Sequence, residues 1–328
     1  MKPATTRLPA MRGLLFSAAI CLATSPALSD PLPSWGSTEN KSTIISFVES
    51  VTDPTSPDYV TPADRIAVFD NDGTLWGEQP VYFQLIYALD RLKAKAEADP
   101  SILTSDILRA GAEGDLETIA AGGVEGLLEI LAVSHSGMSV EAFQNDVRDW
   151  LDEARHPTTD MRYDAMVYQP MLELLSYLRD EGFQTWIVSG GGVHFIRAFA
   201  ESAYNIPPEQ VIGSAGPTEY LDGQVMKLPG IDFVDDKEGK PVGIDNRIGK
   251  RPIIAGGNSD GDFAMLEYTT AGDGPRLGIL VHHTDAEREF AYDREGHIGV
   301  LNRGLDEGPD RGWVIVDMAR DWEQVWPE

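Results

Sequence analysis

The clearest pattern along the chain is a set of short apolar runs, each ending in a polar, glycine-rich loop. Arg65-Ile-Ala-Val-Phe-Asp70 leads into Asn71-Asp72-Gly73-Thr74, Phe183-Gln-Thr-Trp-Ile-Val188 into Ser189-Gly190-Gly191-Gly192, and Pro252-Ile-Ile-Ala255 into Gly256-Gly257-Asn258-Ser259-Asp260-Gly261-Asp262. Continuous apolarity over so few residues predicts strands buried on both faces, as in a parallel sheet. Helical spacing follows or separates these runs at Met171–Arg179, Val193–Tyr204 and Asp262–Tyr268, and later runs at Leu277–Val281 and Val314–Val316 predict further strands. The expected fold is α/β, a Rossmann-like open parallel sheet whose ligands gather at the carboxyl ends of its strands.

A different periodicity fills the interval between the first two runs. Val81, Leu85, Leu89 and Leu92, then Leu127, Leu128 and Leu131, then Phe143, Val147, Trp150 and Leu151 keep helical spacing, with no strand pattern between them. Residues 78–164 are therefore read as an all-helical, mobile cap inserted into a core formed by 65–77 and 165–328. Residues 30–64, rich in Ser, Thr and Pro with one helical candidate at Thr43–Val51, read as a lead-in. Residues 1–29 carry Lys2, Arg7 and Arg12, an apolar stretch from Gly13 to Ala23, and Ala27-Leu28-Ser29 before Asp30, the layout of a secretory signal peptide. That stretch falls short of the roughly 20 residues of a membrane span. An exported protein, periplasmic or secreted, with no stable membrane insertion after cleavage is expected. The single cysteine, Cys21, would leave with the leader, so neither a disulfide nor a catalytic thiol is predicted.

Composition narrows the partners. The 328 residues are 42% apolar and 24% charged, a balance for a folded globular chain. Their 26 basic and 53 acidic side chains give a formal charge of −27, which becomes −30 once the three basic residues of the leader are gone. Such a chain is repelled by phosphate backbones and anionic bilayers, so nucleic-acid binding through general electrostatics is excluded.

The loops carry the candidate chemistry. Asp70 and Asp72, two apart as the chain leaves a strand, can face the same side, and close like charges call for a cation or a proton between them. A hard divalent ion such as Mg²⁺ suits that oxygen-rich setting. An EF-hand calcium loop needs Gly at its sixth position, where Leu75 or Phe263 stands instead. Ser189 and Gly190 open a glycine turn that runs into a helix, a cradle for an anion. Lys240, followed by Pro241 at a helix start, offers the positive charge, with Lys237 as its rival. His282 and His283 are adjacent and lack the spacing of a zinc helix.

Jointly, the order and spacing of these elements resemble the haloacid dehalogenase superfamily over roughly Arg65 to Val281, in its phosphatase branch. The helical insert after the first motif resembles the type 1 cap of phosphoserine-phosphatase-like members. By position, the resemblance makes Asp70 the nucleophile that forms an aspartyl-phosphate and Asp72 the general acid–base whose carbonyl also binds Mg²⁺. Ser189, Gly190 and Lys240 would bind the phosphate, and Glu78 is the candidate cap acid that recognises the substrate. Asp70, Asp72, Asn258 and Asp262 form the implied metal set. The last motif usually reads Gly-Asp-x-x-x-Asp, so Asn258 keeps an oxygen but removes one negative charge, weakening metal binding or requiring help from Asp260. Trp76, Tyr82, Phe83 and His194 are further candidates for the pocket. The implied activity is an Mg²⁺-dependent phosphomonoesterase acting on a small phosphate ester. The rival readings are another hydrolase of the superfamily, a dehalogenase or phosphonatase, and a catalytically silent envelope protein that binds phosphate or cations. The physiological substrate and the oligomeric state are left open by the sequence.

Overall fold

The computed structural model describes residues 30–328 together with Met1 and Ala4, so the leader reading and Cys21 lie outside the described residues. Pro31–Glu328 forms one compact unit. Its strands are β1 (Ile66–Phe69), β2 (Gln184–Gly192), β3 (Val211–Ser214), β4 (Thr218–Leu221), β5 (Gln224–Lys227), β6 (Ile254–Gly257), β7 (Leu277–His282) and β8 (Val314–Asp317). Six of them build a sheet in the order β3-β2-β1-β6-β7-β8, and every neighbouring pair is parallel. β4 and β5 form a separate antiparallel hairpin, turned by Asp222 and Gly223, both at positive φ.

The sheet order reverses at β1, whose neighbours β2 and β6 lead outward in opposite directions, so the crevice at its carboxyl end is the topological switch point. Register brings the three special loops to that point together, because Phe69 lies opposite both Ile187 and Gly256. Alternate residues of the short strands feed two cores. Ala67 and Phe69 join Ile187, Ile279 and Val281 on one face; Ile66 and Val68 join Val188, Ala255 and Leu280 on the other. The expected runs thus become strands within a residue or two, except that β2 continues through Ser189–Gly192, expected as a loop, with a break in register there. β3 lies outside those runs.

The regular helices of the insert are Phe83–Ala98, Asp106–Glu113, Leu116–Ala121, Gly123–His135 and Val140–Glu153. Its outgoing and returning ends pair beside the site: Trp76 bridges Val167, the Gly77 amide donates to the Met166 carbonyl, and Tyr168 donates to Leu75. Phe83, Tyr87, Phe143 and Trp150 of the insert share a buried cluster with Trp76, Phe195 and Phe199. The helix expected over Val193–Tyr204 is interrupted, leaving Val193–Ile196 and Ala200–Tyr204, and the Phe199 ring between them stacks on Trp76 at 4.5 Å.

The lead-in proves to be part of the core. Its helix runs Glu39–Thr52, longer than Thr43–Val51, because the Thr38 side chain caps it by accepting from the Lys41 amide. Ile44, Val48 and Val51 recur at helical spacing and are fully buried. Trp35 is 1% exposed, donates its indole N–H to the Pro170 carbonyl at 2.9 Å, and meets the Trp322 ring edge-on at 6.0 Å. Trp35→Ala is expected to lower unfolding free energy by about 3–5 kcal/mol, read from urea denaturation, whereas a loosely attached segment would register less than about 0.5 kcal/mol.

Candidate active site

The site is built where β1, β2 and β6 end. Beyond Phe69 the chain wraps around one carbonyl: the amides of Thr74, Leu75 and Trp76 all point to Asn71 O, and the Gly73 amide donates to Trp76 O. Gly73 sits at φ +71°, and a Cβ there would collide with Asn258 Nδ2, so only glycine fits this turn. His283 Nε2 donates to the Gly73 carbonyl at 2.7 Å, and Tyr204 OH donates to Asn71 Oδ1 at 3.0 Å. The first motif is therefore braced from two elements remote in sequence.

Lys240, 2% exposed, occupies the centre. Its Nζ donates to Asp70 Oδ1 at 2.6 Å, to Asp262 Oδ1 at 2.7 Å and to the Val188 carbonyl at 2.8 Å, so all three protons are placed. Its rival Lys237 is exposed and lies at φ +52°. Burial alone would lower the Lys240 pKa, but the carboxylates of Asp262 and Asp70 outweigh it and hold the ammonium above its ordinary value. Asp70 is pushed well above the usual carboxylate range, first by burial and then by the charge of Asp262, with Lys240 opposing. Among the described residues, hydrogen bonds reach only its Oδ1, leaving Oδ2 available.

Asp72 is fixed by two donors, Trp76 Nε1 at 2.9 Å to Oδ1 and Ser189 Oγ at 3.4 Å to Oδ2. Burial raises its pKa, and these bonds resist the rise. Ser189 Oγ also accepts from the Gly191 amide at 3.0 Å, and the Gly192 amide donates to Gln84 Oε1 of the insert at 2.8 Å. The phosphate-loop candidates Ser189 and Gly190 thus lie beside Asp72, at the seam between core and insert. His194 is turned the other way, with Nδ1 at 3.2 Å from Lys227 Nζ.

The last motif departs from its expected division of labour. Asp262, expected as a metal donor, is fully buried and has both oxygens occupied, Oδ1 by Lys240 and Oδ2 by the amides of Asn258 at 2.9 Å and Ser259 at 3.0 Å. It shapes the loop and anchors the lysine. Asp260 does not come to the aid of Asn258 either, because its carboxylate accepts the amides of Asn302, Arg303 and Gly304 at a helix start. Glu78, expected to face the substrate from the cap, is 2% exposed on the core side, where Oε1 accepts from Asn258 Nδ2 and Tyr292 OH, each at 2.7 Å. Burial lifts its pKa to about 7. Of the aromatic candidates, Trp76 and Phe83 are buried and Tyr82 is 39% exposed.

Among the described residues no three His, Cys, Asp or Glu side chains converge as a metal site. The donors left for a hard cation are instead mixed: the Asp70 carboxylate, the Asp72 main-chain carbonyl and the Asn258 amide oxygen, which are oxygen ligands of the kind Mg²⁺ takes while keeping waters. The charge also fits, since Asp70 and Asp262 share a single ammonium, and the charges of Asp262 and Asp72 add to the rise that burial gives the Asp70 pKa.

Sequence reasoning missed Trp76 as the donor that orients Asp72, Gln84 as the insert's contact with the phosphate loop, and His283 and Tyr292 as braces. Of these, Trp76 had been named only as a pocket candidate, and His283 only within an adjacent pair that lacks the spacing of a zinc helix.

No curated protein matches the sequence. Among solved structures, a conserved protein of unknown function from Anaerococcus prevotii superposes with a TM-score of 0.53 at 18% identity, covering 79% of this chain and 89% of that one. A protein of unknown function from Bordetella pertussis follows with a TM-score of 0.49 at 17% identity, covering 77% and 98%. The family model of the haloacid dehalogenase-like hydrolases matches residues 67–267, from β1 through the helix behind the last loop, which is more than half the chain. With its two aspartates, its buried lysine and its last loop all inside that interval, the chain belongs to the haloacid dehalogenase-like hydrolase family.

Proposed function

We propose that this protein is an exported, Mg²⁺-dependent phosphomonoesterase that hydrolyses a small phosphate ester through an aspartyl-phosphate on Asp70. The observation that carries the reading is the asymmetry of Asp70: Lys240 holds Oδ1 at 2.6 Å, while Oδ2 is left to react. Mg²⁺, when bound by Asp70, the Asp72 carbonyl and Asn258, would neutralise phosphoryl oxygens and so ease the approach of an anionic ester to an anionic carboxylate.

Oδ2 of Asp70 attacks phosphorus in line, the bond to the ester oxygen breaks, and Asp72 gives its proton to the departing alkoxide. Burial favours the protonated form of Asp72 before this step. The same group, now a carboxylate, takes a proton from the water that attacks phosphorus; inorganic phosphate leaves and Asp70 is restored. Ser189 and the Gly190 amide would orient the phosphoryl group, and Lys240 aims Asp70 and opposes the rise of its pKa. Asp72 separates this reading from a dehalogenase, which has no alcohol to protonate.

Asp70→Asn is expected to abolish hydrolysis of p-nitrophenyl phosphate by the purified protein, and EDTA to do the same to the wild type until Mg²⁺ is restored. Turnover by Asp70→Asn at the wild-type rate would overturn the mechanism. Lys240→Met leaves two buried carboxylates facing each other, so it is expected to cost about 3–5 kcal/mol of stability in urea unfolding. It should also lower kcat by about 100-fold or more in the fraction that folds, in line with the removal of a group that stabilises charge in a water-poor site.

A further inference from the structure

Asn258 is the position where the last motif lacks its usual acid, and the fold sets a buried carboxylate directly against it. Glu78 Oε1 accepts from Asn258 Nδ2 at 2.7 Å. An ionised carboxylate offers lone pairs only, so it selects the amino end of the amide and turns Oδ1 to the opposite side. There Thr74 Oγ1 donates to Oδ1 at 3.1 Å, which leaves that oxygen one further lone pair. Glu78 and Asn258 are 180 residues apart, so no local turn brings them together.

The surroundings are shaped for this carboxylate. Gly73 and Gly299 both have positive φ, and a Cβ on either would run into Glu78 Oε1. Tyr292 OH donates to the same oxygen at 2.7 Å, and its ring stacks on His283, which in turn holds the Gly73 carbonyl. Burying a carboxylate is costly unless charge or hydrogen bonds answer it. Taken together, the Glu78–Asn258 pair has one amide oxygen with a lone pair to spare and, when Glu78 is ionised, one negative charge, the same inventory as a single aspartate ligand.

We propose that Glu78 and Asn258 act as a divided aspartate: Asn258 gives the oxygen donor for Mg²⁺, and Glu78 behind it fixes the amide and returns the missing charge. Glu78 is then a positioning residue for the metal rather than a contact for the substrate. The inference rests on the Mg²⁺ assignment made above.

Mg²⁺ titrations by calorimetry and by thermal shift, without substrate, test it on the wild type, Glu78→Gln, Asn258→Asp and the double variant. Glu78→Gln removes the charge and lets the amide turn, and is expected to weaken Mg²⁺ binding by about 10–100-fold, as loss of an outer partner of a metal ligand does. Asn258→Asp alone sets two carboxylates in contact and is expected to bind Mg²⁺ no better than the wild type. The double variant rejoins charge and donor in one residue and is expected to regain wild-type affinity, a coupling that independent sites would not show. Unchanged affinity in Glu78→Gln, or tighter Mg²⁺ binding by Asn258→Asp than by the wild type, overturns the inference alone. Should Glu78→Gln fail to fold, the comparison of Asn258→Asp with the wild type still decides. A wild type that binds no Mg²⁺ overturns the metal assignment and this inference with it.

Discussion

One buried ammonium holds the site together. The parallel sheet delivers Asp70, Asp72 and Asp262 to the ends of neighbouring strands, where like charges in a poorly solvated crevice repel. Lys240 Nζ ties the loop after β1 to the middle of β2 and to the loop after β6 through three short hydrogen bonds. The arrangement is stable only while charge and hydrogen bonds are both satisfied, because a buried ion of either sign left alone costs several kcal/mol. The same bonds give Asp70 its chemical asymmetry, so what keeps the loops in place also selects which oxygen can react.

Much of this was legible in the sequence. Buried parallel strands must be short and apolar on both faces, and β1, β2, β6, β7 and β8 announced themselves in that way. Asp70, Asp72 and Ser189 came from loops at expected strand ends, where the fold places chemistry whatever the reaction, and Lys240 from a helix start. The misreadings share a cause: each depends on a partner far along the chain. Asp262 was counted as a metal donor because its spacing from Asn258 is local, whereas the lysine that takes its oxygen lies on another element. Glu78 was assigned to the insert because it follows the first motif, but its neighbours Asn258 and Tyr292 come from the other end of the core. Residues 30–64 were read only as a lead-in because Ser, Thr and Pro dominate them, yet a few residues, Trp35, Ile44, Val48 and Val51, carry their burial.

The strongly acidic composition also takes on a more specific meaning. Part of the surplus works in local turns and helix starts, as with Asp53, Asp99 and Asp115, whose pKa values are lowered chiefly by hydrogen bonds from Thr55, Ser101 and Thr118. Another part is gathered at the switch point, where Lys240 answers only a fraction of it. The negative charge of the crevice fits a cation, which together with Lys240 would offset the charge that the proposed phosphate ester meets. Nucleic acid, with phosphates that extend past any such centre, meets the unrelieved acidic surface instead.

The central claim is that Asp70 attacks phosphorus. Mixing the purified protein with Mg²⁺ and excess p-nitrophenyl phosphate, quenching in acid within the first turnovers and mapping peptides by mass spectrometry tests it directly. The account predicts a phosphoryl group on the peptide that carries Asp70, absent from Asp70→Asn. Turnover without any phosphorylated peptide, or with the phosphoryl group on another residue, would contradict it.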